Sequence, residues 1–399
     1  MGGPEITLAP RSEVPAHETG HRLKIAREEA GLTQATAAEK IGVARTTLVA
    51  IEQGQRPAAI EEVVQLCSAY SASVNAILRR EATFSNIIPR FRKLPGSTDS
   101  VVADAVKMLN GFVRSEIELE NALGVACQFN YPPERPLYPG PVRPQAEDDA
   151  LELRRWLGLG IEPILDMLSL LEGQLRIRVY GHELDSRISG LFAWEEGIGA
   201  CMLFSTSHRQ ERVQFTAAHE LGHFLTARSM PDVSFFGHEP GSRLEKYANH
   251  FASAFLMPRS GVVRQFAAVT RGCSHLTRRH VILLSRLFGV SRVALVRRLE
   301  ELRLVRPKTW EWFEDNGGIK DSQAEAVAGP SLLGSTSRLR PIPPRITLLV
   351  QEAWERELYS EGQLSRMLKL GRRNLRKLIY EVHTPEDEAN RLPDYSEAS

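Results

Sequence analysis

His219-Glu220-Leu221-Gly222-His223, flanked by Phe215-Thr216-Ala217-Ala218 and Phe224-Leu225, is the stretch on which the reading of this chain turns. The flanks are helical in pattern. Residues four apart lie about one turn apart on a helix, so both imidazoles leave the same face. Two neutral imidazoles held that way can grip one Zn²⁺. Glu220, next to His219, then stands beside water at the metal as a general base. That chemistry is hydrolysis, and the spacing points to peptide bonds as its target. A pattern with only three fixed positions also arises by chance on solvated helices, so the reading needs a third ligand.

Glu245 supplies one. Leu244, Ala248, Phe251, Ala252, Phe255 and Leu256 follow helical spacing, and Pro258 marks the stop. Glu245 lies on the first turn of that helix and Asn249 one turn later on the same side. A carboxylate at Glu245 completes a two-His, one-Glu site with a position left open for water. Asn249 can accept a hydrogen bond from a ligand histidine and fix its tautomer. The alternative for Glu245 is an ordinary helix-start carboxylate stabilised by the dipole. His238 and Glu239, in Phe236-Gly237-His238-Glu239-Pro240-Gly241, are rival ligands on what reads as a loop over the cleft. His250 is a candidate oxyanion donor. A metzincin would need Gly at 226 and His at 229, where this chain has Thr226 and Ser229.

At 399 residues the chain has room for two or three domains, and 42% hydrophobic content is ample for packed cores. The net charge of +1 hides an uneven distribution. Residues 259–308 carry twelve Lys/Arg against two Glu, and residues 338–379 carry ten against four. Such regions suit phosphate backbones, or a solvated helix face balanced by acidic neighbours. Cys67, Cys127, Cys201 and Cys273 are far apart and form no C-x-x-C pair, which fits reduced thiols in a cytoplasm rather than a disulfide frame. No run approaches the eighteen apolar residues of a membrane span, and Met1-Gly2-Gly3-Pro4-Glu5 does not open a signal peptide.

Residues 1–18 read as a flexible lead, and residues 19–80 as a compact helical domain. Thr33 caps a second helix, with Ala37, Ala38 and Ile41 inward. Gly42-Val43 makes a tight turn, and Arg45 to Glu52 forms a third helix closed by Gly54. Short helices across a Gly turn are the helix-turn-helix arrangement, whose second member enters the DNA major groove. The segment resembles the Xre/Cro-type repressor family in Ala30-Gly31-Leu32-Thr33-Gln34, in Ala38-Glu39-Lys40-Ile41-Gly42-Val43-Ala44-Arg45-Thr46-Thr47-Leu48, and in Ile51-Glu52-Gln53-Gly54-Gln55-Arg56-Pro57. The resemblance implies that Gln34 touches DNA and that Arg45, Thr46, Thr47 and Ala50 face base edges. Ala44 departs from the family's usual Ser cap. A helical bundle used only for protein contacts is the alternative.

Residues 81–145 read as a helical and Pro-rich linker, and a new domain is expected over 146–312. Its strands are Arg176 to Tyr180, Ser189 to Trp194 and Ala200 to Phe204, ahead of the His-Glu-x-x-His helix. This order resembles the ImmA/IrrE metallopeptidase family, on Phe215-Thr216-x-Ala218-His219-Glu220-Leu221-Gly222-His223 and on Glu245-x-x-Ala248-Asn249-x-Phe251-Ala252, ending Leu256-Met257-Pro258. The resemblance implies a zinc endopeptidase acting on a partner repressor, with His219, His223 and Glu245 as ligands and Glu220 as base. Cys201-Met202-Leu203-Phe204 departs from the pattern, since that strand often ends in Asn. Two further helix-turn-helix-like segments follow, one around Gly289-Val290-Ser291 and one around Gly371. Residues 313–344 read as a linker, 345–383 as a small helical segment and 384–399 as an acidic, disordered tail.

The expected fold is therefore multidomain and mainly α. It comprises an N-terminal five-helix DNA-binding bundle, a central α+β zincin-like metallopeptidase with a small sheet, and a C-terminal helical region. The expected partners are double-stranded DNA, a protein substrate and a second copy in a homodimer, with no membrane. The competing reading is a non-catalytic DNA-binding regulator whose zinc domain senses a ligand or stress signal. An intact Glu220 favours the enzyme, because a sensor has no need of a base.

Overall fold

The computed structural model describes residues 15–70, 72, 74–78, 99–235, 241–328 and 343–380. It divides into two units, residues 1–85 with 117–125 and residues 86–116 with 126–399. His238 and Glu239, most of the lead and the acidic tail lie outside the described residues.

The first unit contains the expected five helices: α1 (Ala16–Glu29), α2 (Gln34–Lys40), α3 (Arg45–Glu52), α4 (Ile60–Tyr70) and α5 (Val74–Leu78). Thr33 is the N-cap of α2, its hydroxyl accepting from the Thr36 N–H at 3.2 Å. Gly42 takes φ +70° in the turn before α3, a conformation that costs glycine little. Ala44 caps α3 without a side-chain bond, as its methyl group dictates. Leu23, Ala37, Leu48, Ile51, Val63 and Leu66 close the core. Arg27 and Glu52 pair inside it at 2.6 Å.

The second unit includes part of α6 (Ser100–Leu123), then α7 (Val142–Trp156) and α8 (Met167–Gly173), before its sheet. The strands are β1 (Arg178–His182), β2 (Ile188–Glu195), β3 (Gly199–Ser205) and β4 (Asp232–Phe235). Their order is β1-β3-β2-β4, with β1 parallel to β3 and β2 antiparallel to both its neighbours. β3 is buried along its whole length, which its run of apolar residues requires of a central strand. The Pro-rich stretch lies against this sheet. The Tyr131 hydroxyl accepts from the Ala200 N–H at 2.9 Å, and the Phe129 and Tyr131 rings leave room only for glycine at 199, where φ is +86°. α9 (Gln210–Thr226) carries the two histidines, and α10 (Arg243–Leu256) packs across it. Gly222 permits that approach, since a Cβ there would lie 3.1 Å from Ala248 Cα. Arg154 of α7 is fully buried and donates to the carbonyl of Phe255, holding the end of α10.

The helices α11 (Arg259–Val269), α12 (Arg278–Phe288), α13 (Arg292–Glu301), α14 (Thr309–Asp315) and α15 (Asp321–Ala328) follow. The last described elements are α16 (Pro344–Glu355), α17 (Glu361–Met367) and α18 (Arg372–Tyr380). No helix among the described residues is long and apolar enough to cross a membrane.

Candidate metal centre

α9 presents His219 and His223 from one face, with their two Nε2 atoms 3.0 Å apart. Ser242 caps α10 and sets Glu245 in its first turn. From there the carboxylate reaches both rings. Glu245 Oε1 lies 3.2 Å from His223 Nε2, and Oε2 lies 3.4 Å from His219 Nε2. One turn on, Asn249 Oδ1 accepts from His219 Nδ1 at 3.0 Å, leaving Nε2 to face the cluster. The four residues named from the sequence thus come together as a unit.

Two further residues at this site carry no motif of their own. Asp232 and Ser234 stand on β4, two positions apart and so on one face of the strand. Asp232 Oδ2 is 3.7 Å from His223 Nε2 and, buried, has no hydrogen-bond partner among the described residues. Ser234 Oγ donates to Glu220 Oε1 at 2.5 Å, whereas Glu220 Oε2 is buried and has no hydrogen-bond partner among the described residues. The signal for them is the polar-apolar alternation of Asp232-Val233-Ser234-Phe235, short enough to pass for loop. His250 points elsewhere, its Nδ1 lying 3.5 Å from Glu301 Oε1.

The electrostatics of this pocket follow from burial. Desolvation, with the charge of Asp232 second, pushes the Glu220 carboxyl up to about 8. For His223 burial works against the charged ring, but the hydrogen bond to Glu245 and the charges of Asp232 and Glu220 outweigh it and raise the ring to about 9. Burial also opposes the charge on Glu245, yet hydrogen bonds from His219 and His223 hold its carboxyl well below the usual range. Ligand atoms of His219, His223, Asp232 and Glu245 all lie within 4.8 Å of one another. Two imidazoles and two carboxylates converging in a buried space, with an orphaned carboxylate oxygen among them, form a donor set that a divalent cation satisfies and that zinc in particular accepts.

The helix-turn-helix residues sit differently. Arg45 and Thr46 are exposed at the start of α3, with Thr47 and Ala50 half-buried behind them. Gln34 Nε2 donates to Glu52 Oε2 at 2.9 Å, tying α2 to the buried ion pair.

Residues 173–300 match the family model of the IrrE N-terminal-like domain. Residues 18–79 match that of a helix-turn-helix domain. The two stand in the order that the resemblances implied, a segment similar to a helix-turn-helix domain ahead of one similar to an IrrE-like, metallopeptidase-type domain. No curated protein matches the chain. The IrrE-like match takes in β1 to β3, α9, β4 and α10, and so contains every residue of the cluster.

Proposed function

We propose that this protein is a DNA-binding transcriptional regulator whose IrrE-like domain is a zinc-dependent endopeptidase that cuts a partner repressor in a stress, DNA-damage or mobile-element response. The observation that carries the enzymatic part is Glu220. It is fully buried beside the cluster, its Oε1 is held by Ser234, and its Oε2 has no partner among the described residues. His219, His223 and Glu245 would hold the zinc, with Asp232 at its margin. A zinc ion there supplies Lewis acidity, polarising a peptide carbonyl and making nearby water more acidic.

Glu220 then moves the proton. As water oxygen bonds to the carbonyl carbon, Glu220 Oε2 takes a proton from it. When the C–N bond breaks, the same oxygen returns that proton to the departing amine. Asn249 keeps His219 in the tautomer that presents Nε2. Burial and, second, the charge of Asp232 raise the proton affinity of the Glu220 carboxyl. The helix-turn-helix domain brings this chemistry to a promoter, with Arg45, Thr46, Thr47 and Ala50 toward the bases and Gln34, whose amide also donates to Glu52, touching DNA from α2.

Glu220→Gln tests the reading, because the amide is nearly isosteric and cannot carry the proton. The full chain is incubated with zinc and with the products of the adjacent reading frames, any small repressor among them first, and cleavage is followed on a gel. The variant is expected to keep its zinc and to lose cleavage by about 100-fold or more. Cleavage at the wild-type rate would remove Glu220 as the base, and no cleavage by the unaltered chain would return the domain to a sensor.

A further inference from the structure

The turn between α2 and α3 has a double in the C-terminal helices. α2 and α17 are each seven residues long, and each is capped by a hydroxyl, from Thr33 and from Ser360. The Val43 N–H donates to Ala38 O at 3.0 Å, and the Leu370 N–H donates to Ser365 O at 3.0 Å. The bond from Gly42 N–H to Glu39 O is matched by that from Lys369 N–H to Arg366 O. Gly42 and Lys369 share the left-handed conformation, at φ +70° and +52°. Thr47 N–H to Ala44 O finds its counterpart in Asn374 N–H to Gly371 O, both at 2.9 Å. Leu48 and Leu375 are the fully buried anchors of the two second helices. Arg45 and Arg372 are the first residues of those helices.

A third turn of this type joins α12 to α13, with Gly289 at φ +63° and Val290 N–H donating to Ser285 O. There, however, the three arginines of α13 are paired inside the unit. Arg292 pairs with Asp321, Arg297 with Glu311, and buried Arg298 with Glu147. α18 differs on this point. Arg372, Arg373, Asn374, Arg376 and Lys377 are all exposed, while Leu375 and Ile379 face inward. Arg376 pairs with Glu361, but among the described residues Arg372, Arg373 and Lys377 have no carboxylate partner. A helix that docks in a hydrophobic groove of a protein presents an apolar stripe outward. This one presents cations and an amide.

We propose that α17 and α18 form a second helix-turn-helix that binds duplex DNA, with α18 in the major groove. Arg372, Arg373 and Lys377 would meet phosphates or guanine edges, and Asn374 would be placed to read adenine. Such binding needs neither zinc nor cleavage, so it stands apart from the peptidase reading.

The test uses the full chain carrying Arg45→Ala, titrated against a duplex of about 30 base pairs at several salt concentrations. Adding Arg372→Ala, Arg373→Ala and Lys377→Ala is expected to weaken binding about tenfold or more. It should also flatten the plot of log affinity against log salt by about 2–3, near 0.9 for each phosphate no longer neutralised. Arg356→Ala, just past the end of α16, should change neither. Independently, a photo-reactive amino acid replacing Asn374 in the otherwise unaltered chain should cross-link to the duplex. An unchanged slope and affinity in the triple variant, or no cross-link from position 374, overturns the proposal and leaves the basic face to an acidic protein surface.

Discussion

At position 245 a single carboxylate reaches both imidazoles, and this makes it the residue whose loss says most about the metal site. Glu245→Ala should lose zinc, measured as bound metal after competition with a chelator. Asn249→Ala should keep zinc but bind it about 10–100-fold more weakly, because His219 would no longer be held in one tautomer. Full retention in Glu245→Ala with loss in His238→Ala would make His238 the third ligand. The two histidines, Glu220, Glu245 and Asn249 are legible in the sequence because helical spacing alone predicts which side chains share a face. Asp232 is not, because its place beside His223 depends on β4 pairing with β2, a contact between strands far apart in the chain.

At the scale of elements, legibility follows the strength of local punctuation. α2 and α3 are marked by a hydroxyl cap, a left-handed glycine and a second glycine at the close, each with its own physical reason. α10 is marked by its periodicity and by Pro258. The four-residue edge strand β4 has no such marks, and neither does the packing of the Pro-rich stretch on β3, which rests on Tyr131 and on Gly199. The exposed start of α3 leads to a prediction about DNA. An Arg that reads a guanine contributes about 1–3 kcal/mol of discrimination. In a binding assay at fixed salt, Arg45→Ala should therefore relax sequence preference more than it weakens binding to unrelated duplexes. Equal loss on every sequence would make Arg45 a phosphate contact instead.

At the scale of the second unit as a whole, stability depends on a junction that no local pattern announces. Buried Glu116 of α6 pairs with Arg178 of β1 at 2.6 Å, accepts from the Tyr180 hydroxyl, and lies 3.3 Å from Arg345 of α16. The Arg345 N–H in turn donates to Glu172 Oε1, on α8, at 3.1 Å. Four elements from distant parts of the chain thus meet on charged groups, and one of these groups has a shifted proton affinity. Burial, aided by the charge of Glu116 and opposed by the Arg345 N–H and by the charges of Arg345 and Arg176, pushes the Glu172 carboxyl up to about 7. The unfolded chain would release that proton near the ordinary value of 4.5. Between the two values the folded state binds more protons than the unfolded one, so stability falls as pH rises. The contribution is fully present below about pH 4.5 and is lost by about pH 7. Urea unfolding of the full chain, followed at several pH values across that window, should show a midpoint that declines toward neutrality. Glu172→Gln keeps an acceptor for the Arg345 N–H but cannot titrate, so its midpoint should decline less over the same window. All other titrating groups are common to both chains, so equal slopes would mean that Glu172 is not shifted and that the junction holds α16 by charge pairing with Glu116 alone.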